Sequence, residues 1–284
     1  MQELINGIVQ GSVFALVATG LLLIFSIVRV PHFAHGESVM IGGMVTTTLV
    51  TQAHLPLVLA LVLGAVSGLV LGLLMCAGLY WPLRHYPEVS VLAASLAVVL
   101  LIETVATLIW GADPRVTPTD LSGALPLASA QVQWDRVILV AAALVFVTAT
   151  WAYVHHTPRG RAMRAMALNR TAALLMGIPV RRYWLIAFAI GSGLAGAAGA
   201  LYSLSFGVSA TMGSQITLNA FIVIVFAGVG SIFGAFGGGL LLGIVQSFGG
   251  SYISAGYQEM FGFVVMVVIL IVKPQGLFGA AKTA

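Results

Sequence analysis

The sequence predicts an all-α, polytopic membrane helix bundle of about eight or nine transmembrane segments, one of them a full crossing or re-entrant. Three observations carry that prediction. Of 284 residues, 60% are hydrophobic and 7% charged, with a mean hydropathy of +1.08, whereas soluble domains run about 45–50% apolar and about 25% charged. The apolar residues come in unbroken runs of about 20, the length that crosses a bilayer as helix. A β-barrel would instead show short segments of strict alternation. Finally, charges and turn residues collect between the runs, so the net charge of +4 reports orientation rather than nucleic-acid binding. Cys76 is the single cysteine and lies in an apolar run. No disulfide framework or thiolate metal site follows, and it reads as a small buried hydrophobe.

Residues 1–284 read as one transmembrane domain. Its first span is about Ile5–Val28, with Glu3 where a signal peptide would carry a basic residue, so no cleavable leader is expected. Arg29-Val-Pro31 ends it, because proline blocks helix continuation. After the loop His32-Phe-Ala-His-Gly-Glu37 comes a span of about Ser38–Ala53, then a third from Leu55-Pro56 to about Leu79. Gly64, Gly68 and Gly72 form a ridge on the third that admits another helix backbone closely. The fourth span, about Val89–Trp110, places Glu103 deep inside. The polar, proline-bearing loop 112–135 holds Asp113, Asp120 and Asp135 against Arg115 and contains no span. A fifth span runs over about Arg136–Tyr153. A sixth, Trp184–Phe206, is threaded with glycines, and a seventh, about Thr217–Ile232, begins near Asn219. The eighth, about Leu240–Ile253, follows the glycine cluster 234–239 and contains Gln246. The last is about Met260–Val272.

Between the fifth and sixth spans lies Thr157–Tyr183, which holds six of the twelve basic residues and no acidic one. The positive-inside rule puts this loop in the cytoplasm and loop 112–135 outside. Counting helices both ways then places Arg29, Arg84, Lys273 and Lys282 inside and the amino terminus outside. That requires an odd number of crossings, hence nine if the eighth is complete. Within the loop, Arg161–Met176 reads as one short amphipathic helix, ended by Gly177 in the left-handed position and by Pro179. Composition supports two roles equally, an interfacial helix on anionic lipid and a protein-docking element.

The run from Ala167 to Leu201 resembles the cytoplasmic loop and following helix of branched-chain amino acid ABC importer permeases, of the LivH type. Phe33-Ala-His-Gly-Glu37, Pro82-Leu-Arg84, Gly228-Val-Gly-Ser231 through Gly243, and Pro274-Gln-Gly-Leu-Phe278 agree with that family in order. Arg170 and His32 depart from its usual residues. The resemblance implies a bacterial inner-membrane permease subunit with three kinds of partner: a second permease of LivM type, two cytoplasmic ATPase subunits and a periplasmic substrate-binding protein; membrane lipid is the partner that composition adds. It also implies that segment 157–183 docks on the ATPase, through Arg161, Arg164, Asn169, Ala173, Gly177 and Pro179. No GxxxxGK[ST] loop is present, so ATP hydrolysis falls to the partners and no cofactor is expected on this chain.

Candidates for the translocation pathway are His35, Gly36, Glu37, Glu103, Asn219 and Gln246. Glu103 reads as the only acidic residue well inside an apolar span; such groups are costly and functional by default, and a hydrogen-bonded packing role stands beside that reading. His32, His35 and Glu37 lack the spacing of a helical zinc motif, so no metal is expected. The FAHGE segment reads instead as the end of a broken helix whose free amides meet a substrate carboxylate. For that it must fold back from the cytoplasmic side. A urea or amide permease would keep most of these motifs. A proton-coupled secondary transporter, the rival of another class, would carry several buried acids.

Overall fold

A computed structural model describes residues 1–119, 123–127, 130–228, 231–273 and 275–277. Asp120, Val229-Gly230 of the glycine-rich run, Pro274 and Phe278 of the carboxyl-terminal motif, and Lys282 lie outside the described residues. The helices are α1 (Gln2–Val28), α2 (His35–Thr51), α3 (Leu57–Met75), α4 (Glu88–Trp110), α5 (Trp134–His156), α6 (Pro158–Leu168), α7 (Arg170–Leu175), α8 (Val180–Ser205), α9 (Met212–Ala227), α10 (Ile232–Tyr252) and α11 (Gln258–Val272). A π-helical turn, Cys76–Tyr80, prolongs α3. The described residues between α4 and α5 hold no helix, and they carry an antiparallel hairpin, β1 (Ala124–Leu127) with β2 (Ala130–Gln133), that the sequence reading did not foresee; α5 takes in Trp134 and Asp135.

Among the described residues six helices are long and apolar enough to cross a bilayer: α1, α3 with its π turn, α4, α5, α8 and α10. α9 and α11 are apolar but shorter, and α2 has 17 residues. The glycine cluster 234–239 lies inside α10, which is one continuous helix of 21 residues rather than a broken segment. The seventh span is shifted toward the amino terminus of its expected range. α9 stops at Ala227 because Gly228 takes a φ of 77°, a conformation open to glycine without steric cost.

The short helices α2 and α9 have a common cause. After Arg29, at a φ of 60°, the chain runs without helix through residues 30–34 before α2 begins. His35 Nε2 then donates to the Val17 carbonyl at 3.2 Å. Val17 lies eleven residues before the end of α1, about 16 Å along the axis. The segment therefore does fold back deep into the bundle before it becomes helical. Residues 206–211 do the same after α8, with Val208 and Ala210 buried, and α9 starts at the level of α2: the Gly36 amide donates to Thr217 Oγ1 at 2.8 Å.

Packing follows small residues. A Cβ at Gly68 would stand 2.6 Å from Gly196 Cα, and one at Gly72 would strike Ser192, so the glycine ridge of α3 lies on α8. Likewise Gly7 and Gly11 of α1 lie on α10, where added carbons would stand 2.7 Å from Ile244 Cα and 2.8 Å from Leu240 Cα. Backbones this close are held by dispersion rather than by the hydrophobic effect, which lipid tails do not supply. α1 and α8 run in opposite directions through the core. The units α1–α2–α3 and α8–α9–α10 thus share one plan, a buried helix, a re-entering strand of chain, a short helix, then a glycine-packed partner. This is an inverted repeat.

The basic loops gather at one end. Arg29 donates to the Ala167 and Leu168 carbonyls at 2.6 and 3.2 Å, and Gly276 lies against Gly228. At the opposite end Arg136 bonds Asn6, Ser251 bonds Glu3, and Arg115 pairs with Val208.

Candidate coupling surface and membrane-embedded polar site

The expected single helix over Arg161–Met176 is two helices. Asn169 breaks it at φ −149°, ψ 105°, and its side chain accepts from the Ala172 amide at 3.0 Å, capping α7. Asparagine is among the strongest residues at that position, which explains the break. Thr157 caps α6 by accepting from the Gly160 amide at 3.0 Å, with Pro158 in the first turn. Gly177 has a φ of 79° beyond the end of α7, as its position indicated, and Pro179 caps α8.

The six residues named for coupling divide by environment. Arg161 is exposed, whereas Arg164 is half-buried and donates to the Val154 carbonyl. Ala173 is buried, and Asn169, Gly177 and Pro179 shape the backbone. Beside the exposed Arg159, Arg161, Arg181 and Arg182, the loop presents an apolar knob: Leu168 is 82% exposed, Leu175 85% and Met176 82%, with Leu174 beside them. Sequence reading missed this knob because its residues look like any other membrane-chain leucines. Their position beyond two capped helix starts was the available signal.

Behind the knob stands a stack of cations and rings. The Arg170 guanidinium lies 4.9 Å over Trp184, Trp184 meets Trp81 edge-on at 5.6 Å, and Arg84 covers Trp81 at 4.4 Å. Partial burial, with Arg84 nearby, lowers the Arg170 pKa from its ordinary value. Tyr80, next to Trp81 and last in the π turn, pairs its hydroxyl with His32 Nδ1 at 2.7 Å. π turns inside α-helices recur at functional sites.

His32, His35 and Glu37 are fully buried. His32 Nε2, His35 Nδ1, Ser38 Oγ and both Glu37 carboxylate oxygens have no hydrogen-bond partner among the described residues. Glu37 lies against Gly213 of α9, where no side chain intervenes, and α2 also packs against α4, the helix that carries Glu103. Glu103 is half-buried with Oε1 also unpartnered. The expectation of one membrane acid is therefore corrected: Glu37, which reads in sequence as a loop residue, is a second. Gly36 sits where α2 meets α9. Asn219 and Gln246 bond each other, Nε2 to Oδ1 at 2.8 Å, between α9 and α10. Among the described residues no group of three or more His, Cys, Asp or Glu side chains could hold a metal ion.

Residues 3–272 match the family described as branched-chain amino acid transport system / permease component. The high-affinity branched-chain amino acid transport system permease protein LivH of Salmonella typhimurium is 27% identical, over 98% of this chain and 95% of its own. LivH of Escherichia coli and BraD of Pseudomonas aeruginosa, of the same description, are also 27% identical with the same coverage. No solved structure matches.

Proposed function

The chain belongs to the branched-chain amino acid transport system permease family, and from that membership we propose that it is the transmembrane subunit of an ATP-binding-cassette importer for branched-chain or related amino acids. A second permease, of LivM type, completes the pathway. Two cytoplasmic ATPases hydrolyse ATP, a periplasmic protein delivers substrate, and this chain itself binds no cofactor. Nine crossings of the bacterial inner membrane fit the two ends of the bundle. The amino terminus lies outside and the arginine-rich loop inside, and α2 and α9 each complete a crossing begun by an extended segment.

The observation that carries the reading is the apolar knob at Leu168, Leu174, Leu175 and Met176, exposed at the end of the molecule that the basic loops mark as cytoplasmic. A knob of this kind fits a cleft of the ATPase, seated by the backbone turns at Asn169, Gly177 and Pro179 and flanked by Arg161 and Arg164. When the ATPases close, α7 moves. Arg170 on Trp184, Trp184 on Trp81, and Tyr80 on His32 connect that motion to residues 32–37. There His35, Glu37 and Glu103 answer to the substrate's charged groups, Gly36 seats α2 on α9, and Asn219 and Gln246 hold α9 to α10. Each end state is favoured by its own contacts, and ATP shifts the balance.

The test is the double variant Leu175→Asp, Met176→Asp in reconstituted complex. Import is expected to be lost with the variant still inserted and folded, and its ATPase no longer co-purifying. Import at the unmodified rate would overturn the docking assignment. Buried acids alone do not decide against a proton-coupled transporter, since there are two rather than one; membership of the family decides it.

A further inference from the structure

A cavity of about 600 Å³ opens between the ends of α1 and α5, the first turn of α10 and the underside of α6. Its walls are Leu22, Leu23, Phe25, Ile27, Val154 and Ile232, and no acidic residue lines it. Arg29, Arg164 and His155 stand among the lining residues at the helix ends. From Leu22 to Arg29 is seven residues, about 10 Å of helix. The cavity is thus apolar in depth and cationic at the level where the helices leave the bilayer, the depth of lipid headgroups.

We propose that this cavity binds an anionic phospholipid of the inner leaflet, its phosphate on Arg29 and Arg164 and an acyl chain along Leu22, Leu23 and Ile232. The proposal rests on the sidedness given above. An amino acid substrate fits poorly, because its ammonium group would find two cations and no carboxylate. Arg29 already holds α6 through the Ala167 and Leu168 carbonyls, and Arg164 holds α5 through Val154. A phosphate on the same two guanidiniums therefore ties α1, α5 and α6 together, and sets how firmly the coupling segment is seated.

The experiment is native mass spectrometry of the full chain in a neutral detergent, with phosphatidylglycerol or phosphatidylcholine of matched chains. Two arginines at a headgroup surface give about a 30-fold preference for the anionic lipid. Arg29→Gln with Arg164→Gln is expected to bring the two lipids to parity. Ser26 also lines the cavity, and Ser26→Phe, which leaves the cations in place, is expected to reduce retention of both. Equal retention of the two lipids by the unmodified chain overturns the proposal, as does undiminished retention by the Ser26 variant. Displacement of phosphatidylglycerol by millimolar leucine also overturns it and makes the cavity part of the substrate path. Sidedness is read separately by thiol labelling at position 161, so its failure is distinguishable from failure to bind lipid.

Discussion

Gly36→Ala tests the point where the two halves of the molecule touch. The added methyl would fall on the Gly213 carbonyl oxygen and the Thr217 hydroxyl. Neither can retreat easily, since one is helix backbone and the other is held by its own bond to Gly213 and by the Gly36 amide, at 3.0 and 2.8 Å. Overpacking a close-packed interior costs about 1–3 kcal/mol, and a buried amide left without its acceptor about 1–3 kcal/mol more. The sum, about 2–6 kcal/mol, is a large share of the roughly 5–15 kcal/mol that holds a typical domain. The assay pairs thermal melting in detergent with uptake into proteoliposomes. Gly78→Ala serves as control, because a Cβ there meets nothing within 4 Å. The control is expected within about 0.5 kcal/mol of the unmodified chain, and Gly36→Ala is expected to melt early and transport slowly. Unchanged melting and uptake in Gly36→Ala would refute the close approach of α2 and α9.

Three further expectations follow from the same geometry. Glu37→Gln and Glu103→Gln should each lower uptake in a folded protein, and the double variant should lose less than the two effects combined; full rates in both single variants would return these carboxyls to packing roles. Asn169→Ala removes the cap of α7, worth about 1 kcal/mol, and should raise the ATP hydrolysed per substrate moved; an unchanged ratio would mean the break at Asn169 is irrelevant to docking. A cysteine replacing exposed Arg161 should react with impermeant reagent from the cytoplasm alone, and reaction from outside would invert the topology.

The long apolar runs, the glycine ridge on α3 and the stop at Gly177 were legible because each rests on local chemistry, on run length, residue size or backbone freedom. Asn169 was misread because helical spacing continues across it, and a capping side chain competes with the helix only by position. Glu37 was named as a pathway candidate but not counted as a membrane acid, for a different reason. Residues 32–37 follow a proline and precede the apolar run, so they read as a loop between spans, with the fold-back required only by the pathway reading. Their burial comes from the fold-back of residues 30–34 and from Gly213, nearly two hundred residues away. The pairing of Tyr80 with His32 and of Trp81 with Trp184 is equally non-local. What sequence gave there was residue type without partner.

The inverted repeat has one more consequence. Two units of the same plan, set in opposite orientations, give the backbone of the core no intrinsic front or back. Whatever makes such a protein an importer must therefore lie in what its halves do not share. Besides α4, α5 and α11, those parts are the arginine-rich segment 157–183 at one end and, at the other, the stretch carrying Asp113 and Arg115 with the β1–β2 hairpin.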